Sequence, residues 1–113
     1  MAAIADCARD GVRALNDQLR KRGIGGIVVT TPGVRALGAG VLTLITDAVA
    51  RFDAFSADND PYGEHDFGVV QVKGHTVFFK IDAYDCDLRW HSPDPADPTV
   101  TRRVMTLMLA EEY

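Results

Sequence analysis

Phe67-Gly68-Val69-Val70-Gln71-Val72-Lys73-Gly74-His75-Thr76-Val77-Phe78-Phe79-Lys80-Ile81-Asp82 decides the fold. Phe67 to Lys73 reads as one strand and His75 to Asp82 as its return, with Lys73-Gly74 as a tight turn. Val77, Phe79 and Ile81 alternate onto one face, and Thr76, Phe78, Lys80 and Asp82 onto the other. The first set should meet a core. Phe78, on the outer face, needs a cover or is part of a contact surface.

Working outward from this hairpin, the N-terminal half reads as helix, strand, helix. Ile4, Ala8, Val12, Leu15 and Leu19 recur at helical spacing, with Cys7 and Gly11 on the same stripe. Asp17 stands four residues before Lys21, the favourable order for a helical ion pair. Gly23, Gly25 and Gly26 stop this helix. Ile27-Val28-Val29-Thr30 reads as a short buried strand. Thr31-Pro32 suits a helix start, Gly38 a break, and Gly40 to Phe55 the main helix, carrying Val41, Leu44, Ile45 and Val49 inward. After the hairpin, Asp97 can cap and Pro98 can open a final helix whose stripe is Val100, Val104, Leu107 and Met108. The expected fold is a single α+β domain over residues 1–113. Its order is helix-strand-helix-strand-strand-helix, with a three-stranded, mainly antiparallel sheet and the helices packed on one face. Val77, Phe79 and Ile81 should share a core with Val41, Leu44, Val104 and Leu107.

A chain of 113 residues can bury such a core without metal or disulfide staples. No apolar run reaches membrane-spanning length, and the N-terminus has no signal-peptide pattern, so a cytoplasmic location is expected. Cys7 and Cys86 have no framework spacing and read as reduced thiols.

The net charge of −4 hides an asymmetry. Residues 1–52 carry seven basic and four acidic side chains, whereas residues 53–97 carry three and ten. An acidic middle segment repels nucleic acid and attracts cations or basic protein surfaces. Its densest part is Asp58-Asn59-Asp60-Pro61-Tyr62-Gly63-Glu64-His65-Asp66, a loop shaped by Pro61 and Gly63. A second cluster, Asp82-Ala83-Tyr84-Asp85-Cys86-Asp87, follows the hairpin, and Arg89-Trp90-His91 lies beside it. The fold is expected to bring the two clusters together.

Several chemistries compete for these residues. Asp58, Asp60, Gly63 and Asp66 fall at EF-hand positions 1, 3, 6 and 9, but Val69 stands where the bidentate glutamate belongs. That leaves oxygen ligands for an adventitious divalent cation and no dedicated cofactor. A metal-dependent hydrolase or nuclease would use the 58–66 loop with Asp82, Asp85, Asp87 and Lys80, although the spacing matches no such motif. Two cysteines and three histidines lack zinc-finger spacing. Turn formation is the plain structural role of so many Asp residues. A protein-contact surface is the remaining reading. Its candidate residues are Asp58, Asp60, Tyr62, Glu64, His65, Asp66, Asp82, Tyr84, Asp85, Asp87 and Arg89, since acids flanked by tyrosine and arginine suit a basic partner. Trp90 reads as a core plug.

A set of longer strings stands out: Asn59-Asp60-Pro61-Tyr62-Gly63-Glu64-His65-Asp66-Phe67-Gly68, Lys80-Ile81-Asp82, Tyr84-Asp85, Asp87-Leu88, Ser92-Pro93-Asp94-Pro95-Ala96-Asp97-Pro98 and Met108-Leu109-Ala110-Glu111-Glu112-Tyr113. On these strings the chain, from Asn16 to Tyr113, resembles the domain-of-unknown-function family 3768. The resemblance implies a bacterial mobile-element setting beside anti-restriction genes and supplies no catalytic residues. The expectation is a non-enzymatic protein that binds a macromolecular partner. That partner would be a nucleic-acid-binding or defence protein, engaged as an anti-restriction or anti-CRISPR accessory does, with no direct contact to nucleic acid or membrane. Oligomeric state is left open.

Overall fold

The computed structural model describes residues 3–113, with side chains from residue 11 onward. Helices α1 (Ala3–Arg22), α2 (Pro32–Arg35) and α3 (Ala39–Arg51) alternate with strand β1 (Gly26–Thr30) and precede β2 (Phe67–Val72), β3 (His75–Tyr84) and β4 (Arg102–Leu109). Single 3-10 turns occupy Pro98–Val100 and Ala110–Glu112. The four strands form one mixed sheet in the order β1-β4-β3-β2. β2 pairs antiparallel with β3 and β3 with β4, whereas β1 runs parallel to β4.

The α+β class therefore holds, and the hairpin forms where its alternation places it. Lys73 and Gly74 both take positive φ, 51° and 81°, the geometry that joins two twisted strands with a two-residue turn. The last element is a strand, not the expected helix, and the sheet has four strands instead of three. Asp97 does cap, its carboxylate accepting the Thr99 N–H at 2.9 Å, and Pro98 does open a turn. The turn ends after three residues. Val100, Thr101, Val104 and Thr106 are β-branched and stiff in a helix. The helical stripe was ambiguous because both faces of this strand are apolar. Met105 and Leu107 are buried toward the helices, while Val104 and Met108 pair on the opposite face with Ile27 and Phe78. Arg103, a charge at an inward position, interrupts the alternation that marks a strand.

Leu19, Val34, Ile45 and Val49 from the helices pack on Val77, Phe79, Ile81, Met105 and Leu107, with Val41 partly buried against them. Val77, Phe79 and Ile81 thus meet the core as the alternation predicts, and Leu107 reaches it from a strand instead of the expected helix. Leu44 instead lies exposed on α3, and Val104 faces away from the helices. Ile4, Cys7 and Ala8 lie outside the residues whose side chains are described. β1 is an edge strand: Ile27, Val28 and Val29 keep 54, 43 and 39% of their surface exposed. Thr31 caps α2, and α3 starts after Gly38 and ends at Arg51, short of Phe55. Phe78 finds its cover in Phe67 and in Tyr113, whose rings stand edge-on at 5.3 and 5.5 Å. Glu112 ties this C-terminal turn to α2, accepting from the Thr31 hydroxyl at 2.6 Å and the Gly33 N–H at 3.1 Å.

Gly68 lies opposite Phe79, and a methyl group there would sit 2.3 Å from the Phe79 ring and 2.9 Å from Phe52. The ring occupies the space a side chain would need. Gly68→Ala is expected to destabilise the fold by about 1–3 kcal/mol through overpacking, measured by urea unfolding. An unchanged midpoint would show that the ring can move aside.

Candidate functional site: an acidic groove beside a histidine-centred loop

The loop from Phe52 to Asp66 has its own internal frame. Asp60 is buried and closes it: its carboxylate accepts the N–H groups of Glu64 at 3.1 Å and His65 at 3.3 Å. Asn59 bridges the Ser56 N–H and the Ala54 carbonyl. His65 takes a positive φ of 56°, uncommon for a residue with a side chain, and it turns inward. Its ring stacks on Phe55 with centroids 3.8 Å apart, its Nδ1 lies 2.9 Å from Asp17 Oδ1, and its Nε2 lies 3.7 Å from Asp60. The histidine is held by α1, not by Asp82 or Asp85 across the hairpin.

The same face of α1 supplies the other anchors. Asp17 pairs with Arg20 at 2.8 Å in place of Lys21. Asn16 donates to the Glu64 carbonyl at 2.9 Å and accepts from Arg103 Nε at 2.8 Å. Arg13 bonds the Gly63 carbonyl, and Arg103 reaches the Pro95 carbonyl. Among the described residues, α1, the 60–66 loop and the 91–96 connector are thus locked together by polar contacts.

These contacts frame a groove. A depression of about 100 Å³ between Val12, Asn16, Glu64, Asp66, Asp82, His91 and Pro95 adjoins a wider one of about 350 Å³ that adds Tyr62 and Asp94. Val12, Glu64, His91 and Pro95 line both. Burial pushes the Glu64 carboxyl above its usual range, helped by the charges of Asp66 and Asp60 and opposed by His91 and Arg103. Asp66 keeps much of its surface exposed, yet desolvation of its carboxyl group is still the largest cause of its upward shift, with Asp60 and Asp82 adding to it. The groove carries an excess of negative charge that His91 and Arg103 offset only in part.

The predicted site residues thus divide. Tyr62, Glu64, Asp66 and Asp82 come together at the groove, although the Asp82 carboxylate also lies 3.6 Å from Lys80. Asp60 and His65 face inward as structural groups. Asp58 lies exposed at a turn outside the groove lining. Asp85 holds the hairpin's far turn by accepting the Arg89 N–H at 3.0 Å, with Asp87 and Arg89 exposed on that turn. Tyr84 ends β3 and bridges to His91. Trp90 is no core plug: 75% of its surface is exposed. His91, noted in the sequence beside the second acidic cluster, joins the groove, whereas Asp94, Asn16 and Val12 were missed. Asn16 and Val12 sit on a helix with an ordinary amphipathic pattern, and Asp94 lies in a Pro-rich connector, so no local signal marks them. Among the described residues, no three His, Cys, Asp or Glu side chains gather around a point that could hold a metal ion. Cys86 is a free, exposed thiol, and no described helix is long and apolar enough to cross a membrane.

With the loop and groove in view, the class is an α+β protein with an acidic surface cleft. The chain belongs to the family described as Protein of unknown function (DUF3768), which matches residues 30–112 and so includes the acidic loop, the hairpin and the C-terminal strand. No curated protein and no solved structure matches the chain.

Two measurements check the site's physics. His65→Ala is expected to lower stability by about 1–3 kcal/mol, since it strips Asp17 of a partner and Phe55 of its stacked ring. An equal melting temperature for variant and parent would refute the structural role. The second is a pH profile. Asp17 feels burial pushing its carboxyl up, but hydrogen bonds from Arg20 and His65 outweigh this and hold it below its usual value. Its contribution is present above the unfolded carboxylate value and is lost as pH falls below about 4. Glu64 and Asp66 act oppositely: the folded chain binds their protons more tightly, so melting temperature should rise as pH drops from neutral through their raised values. Glu64→Gln with Asp66→Asn should abolish the rise, and Asp17→Asn should shrink the acid-side fall.

Proposed function

We propose that this protein is a binding protein, without enzymatic activity, whose acidic groove receives basic side chains of a macromolecular partner. The observation that carries this reading is the pair Glu64 and Asp66, both held with raised carboxyl values in one cleft of about 100 Å³. Such a site is relieved of repulsion by a lysine or arginine side chain. A cation bound there replaces the lost hydration of the carboxylates and gains charge-assisted hydrogen bonds. Tyr62, exposed on the groove wall, supplies an aromatic surface for the aliphatic stem or guanidinium of that group. The acidic 53–97 segment disfavours contact with phosphates and favours a protein with a basic surface. A nucleic-acid-binding defence protein, met in the cytoplasm by an accessory of a mobile element, is the partner class that this charge suits.

The test is a titration of isotope-labelled protein with a short lysine- and arginine-rich peptide, beside a glutamate-rich peptide as control. Shift changes are expected at Tyr62, Glu64, Asp66 and His91. Affinity should weaken with added salt and fall about tenfold in Glu64→Gln with Asp66→Asn. Asp60 is left intact, because it closes the loop. Binding that ignores both carboxylates would reject the groove. Cleavage of a phosphoester substrate dependent on magnesium or manganese would replace this reading with an enzymatic one.

A further inference from the structure

β1 is the least protected strand of the sheet. Thr31 donates its N–H to the Leu107 carbonyl at 3.1 Å, so in the parallel pairing the backbone groups of Ile27 and Val29 face β4. Alternation then turns those of Gly26, Val28 and Thr30 outward. Arg35 bonds the Thr30 carbonyl, and among the described residues no strand lies along the other outward groups. Natural edges are blunted by charge, proline or a bulge. Gly26-Ile27-Val28-Val29-Thr30 has no charged residue or proline, and its three apolar side chains are exposed.

The outward set is symmetric about Val28. In an antiparallel pairing of two such strands, Val28 meets its own copy as a hydrogen-bonded pair, and Gly26 meets Thr30 of the other chain, whose carbonyl would accept from Gly26 beside its own Arg35. Ile27 then stands beside Val29 of that chain on the face away from the helices, and no charge is brought opposite a like charge within the strands. Any shift of this register by an odd number of residues would set an outward residue against an inward one. We propose that β1 is a pairing edge for a second copy of this chain, joined antiparallel about a two-fold axis at Val28. The two four-stranded sheets become one of eight strands. The closed two-fold leaves no further copy of this edge exposed, as an isologous interface requires. Ile27, Val29 and Val104 of the two chains form a continuous apolar strip across the junction.

Sedimentation equilibrium across micromolar to submillimolar concentrations tests this. The parent chain is expected to move toward twice its 12.3 kDa mass as concentration rises. Ile27→Lys with Val29→Lys puts like charges directly opposite across the two-fold and should weaken the dimer at least tenfold, by about 1.4 kcal/mol. Ile27→Lys with Val29→Glu puts opposite charges at the same two places and should restore it. Both variants alter exposed side chains on the face away from the helices, and circular dichroism confirms that they fold. A parent chain that stays at 12.3 kDa throughout, a dimer indifferent to the lysine pair, or a failure of the lysine–glutamate variant to restore pairing would each overturn the proposal. Added salt should not weaken this contact, whereas it weakens the groove's, so the two fail separately.

Discussion

Arg20 is the group on which the assembly of this protein depends. Its side chain is 1% exposed, and its guanidinium carries out three tasks at once. It donates to the carbonyls of Val49, Ala50 and Phe52 around the end of α3, where intrahelical donors run out. It pairs with Asp17, which in turn holds His65. It lies 5.2 and 5.8 Å from the ring centres of Phe55 and Phe79, so its faces rest on the core. Its Nε is the one buried side-chain polar atom, among those described, without a hydrogen-bond partner. A buried charge is tolerated only when such partners replace its hydration, and here the replacement joins α1, α3 and the acidic loop into one piece.

That arrangement explains why acids close together in sequence do different work. Asp60 and Asp17 have hydrogen-bond donors aimed at them and act as struts. Glu64 and Asp66, only a few residues from Asp60, present carboxylates on which burial and neighbouring acids outweigh the partners they have. The turn at Asp60 and the inward His65 force this division, because a residue buried to close the loop leaves its neighbours to face the cleft. The proposed binding and the stability of the loop thus draw on the same short segment, with opposite electrostatics.

The sheet order follows from the same economy. With β4 between β1 and β3, its inward Arg103 sits under α1 and finds Asn16 and the Pro95 carbonyl. Burial lowers the proton affinity of this guanidinium, and Glu64 partly offsets that. The strand thereby links the core to the wall of the groove.

The sequence by itself determined the elements whose signals are local. The hairpin, the Thr31-Pro32 helix start, the break at Gly38 and the burial of Val77, Phe79 and Ile81 follow from period, turn chemistry and caps. The family membership was also legible in the strings around the acidic loop. Tertiary structure alone decided the last element. Residues 102–109 are apolar at both periods, and pairing on both sides by β1 and β3 selects the strand, because a central position satisfies every backbone group while burying Met105 and Leu107. It also decided which acids are struts and which line the groove. That depends on where Asn16, Asp17 and Arg20 arrive from 40 or more residues away, and no spacing within the loop encodes the position of a distant helix.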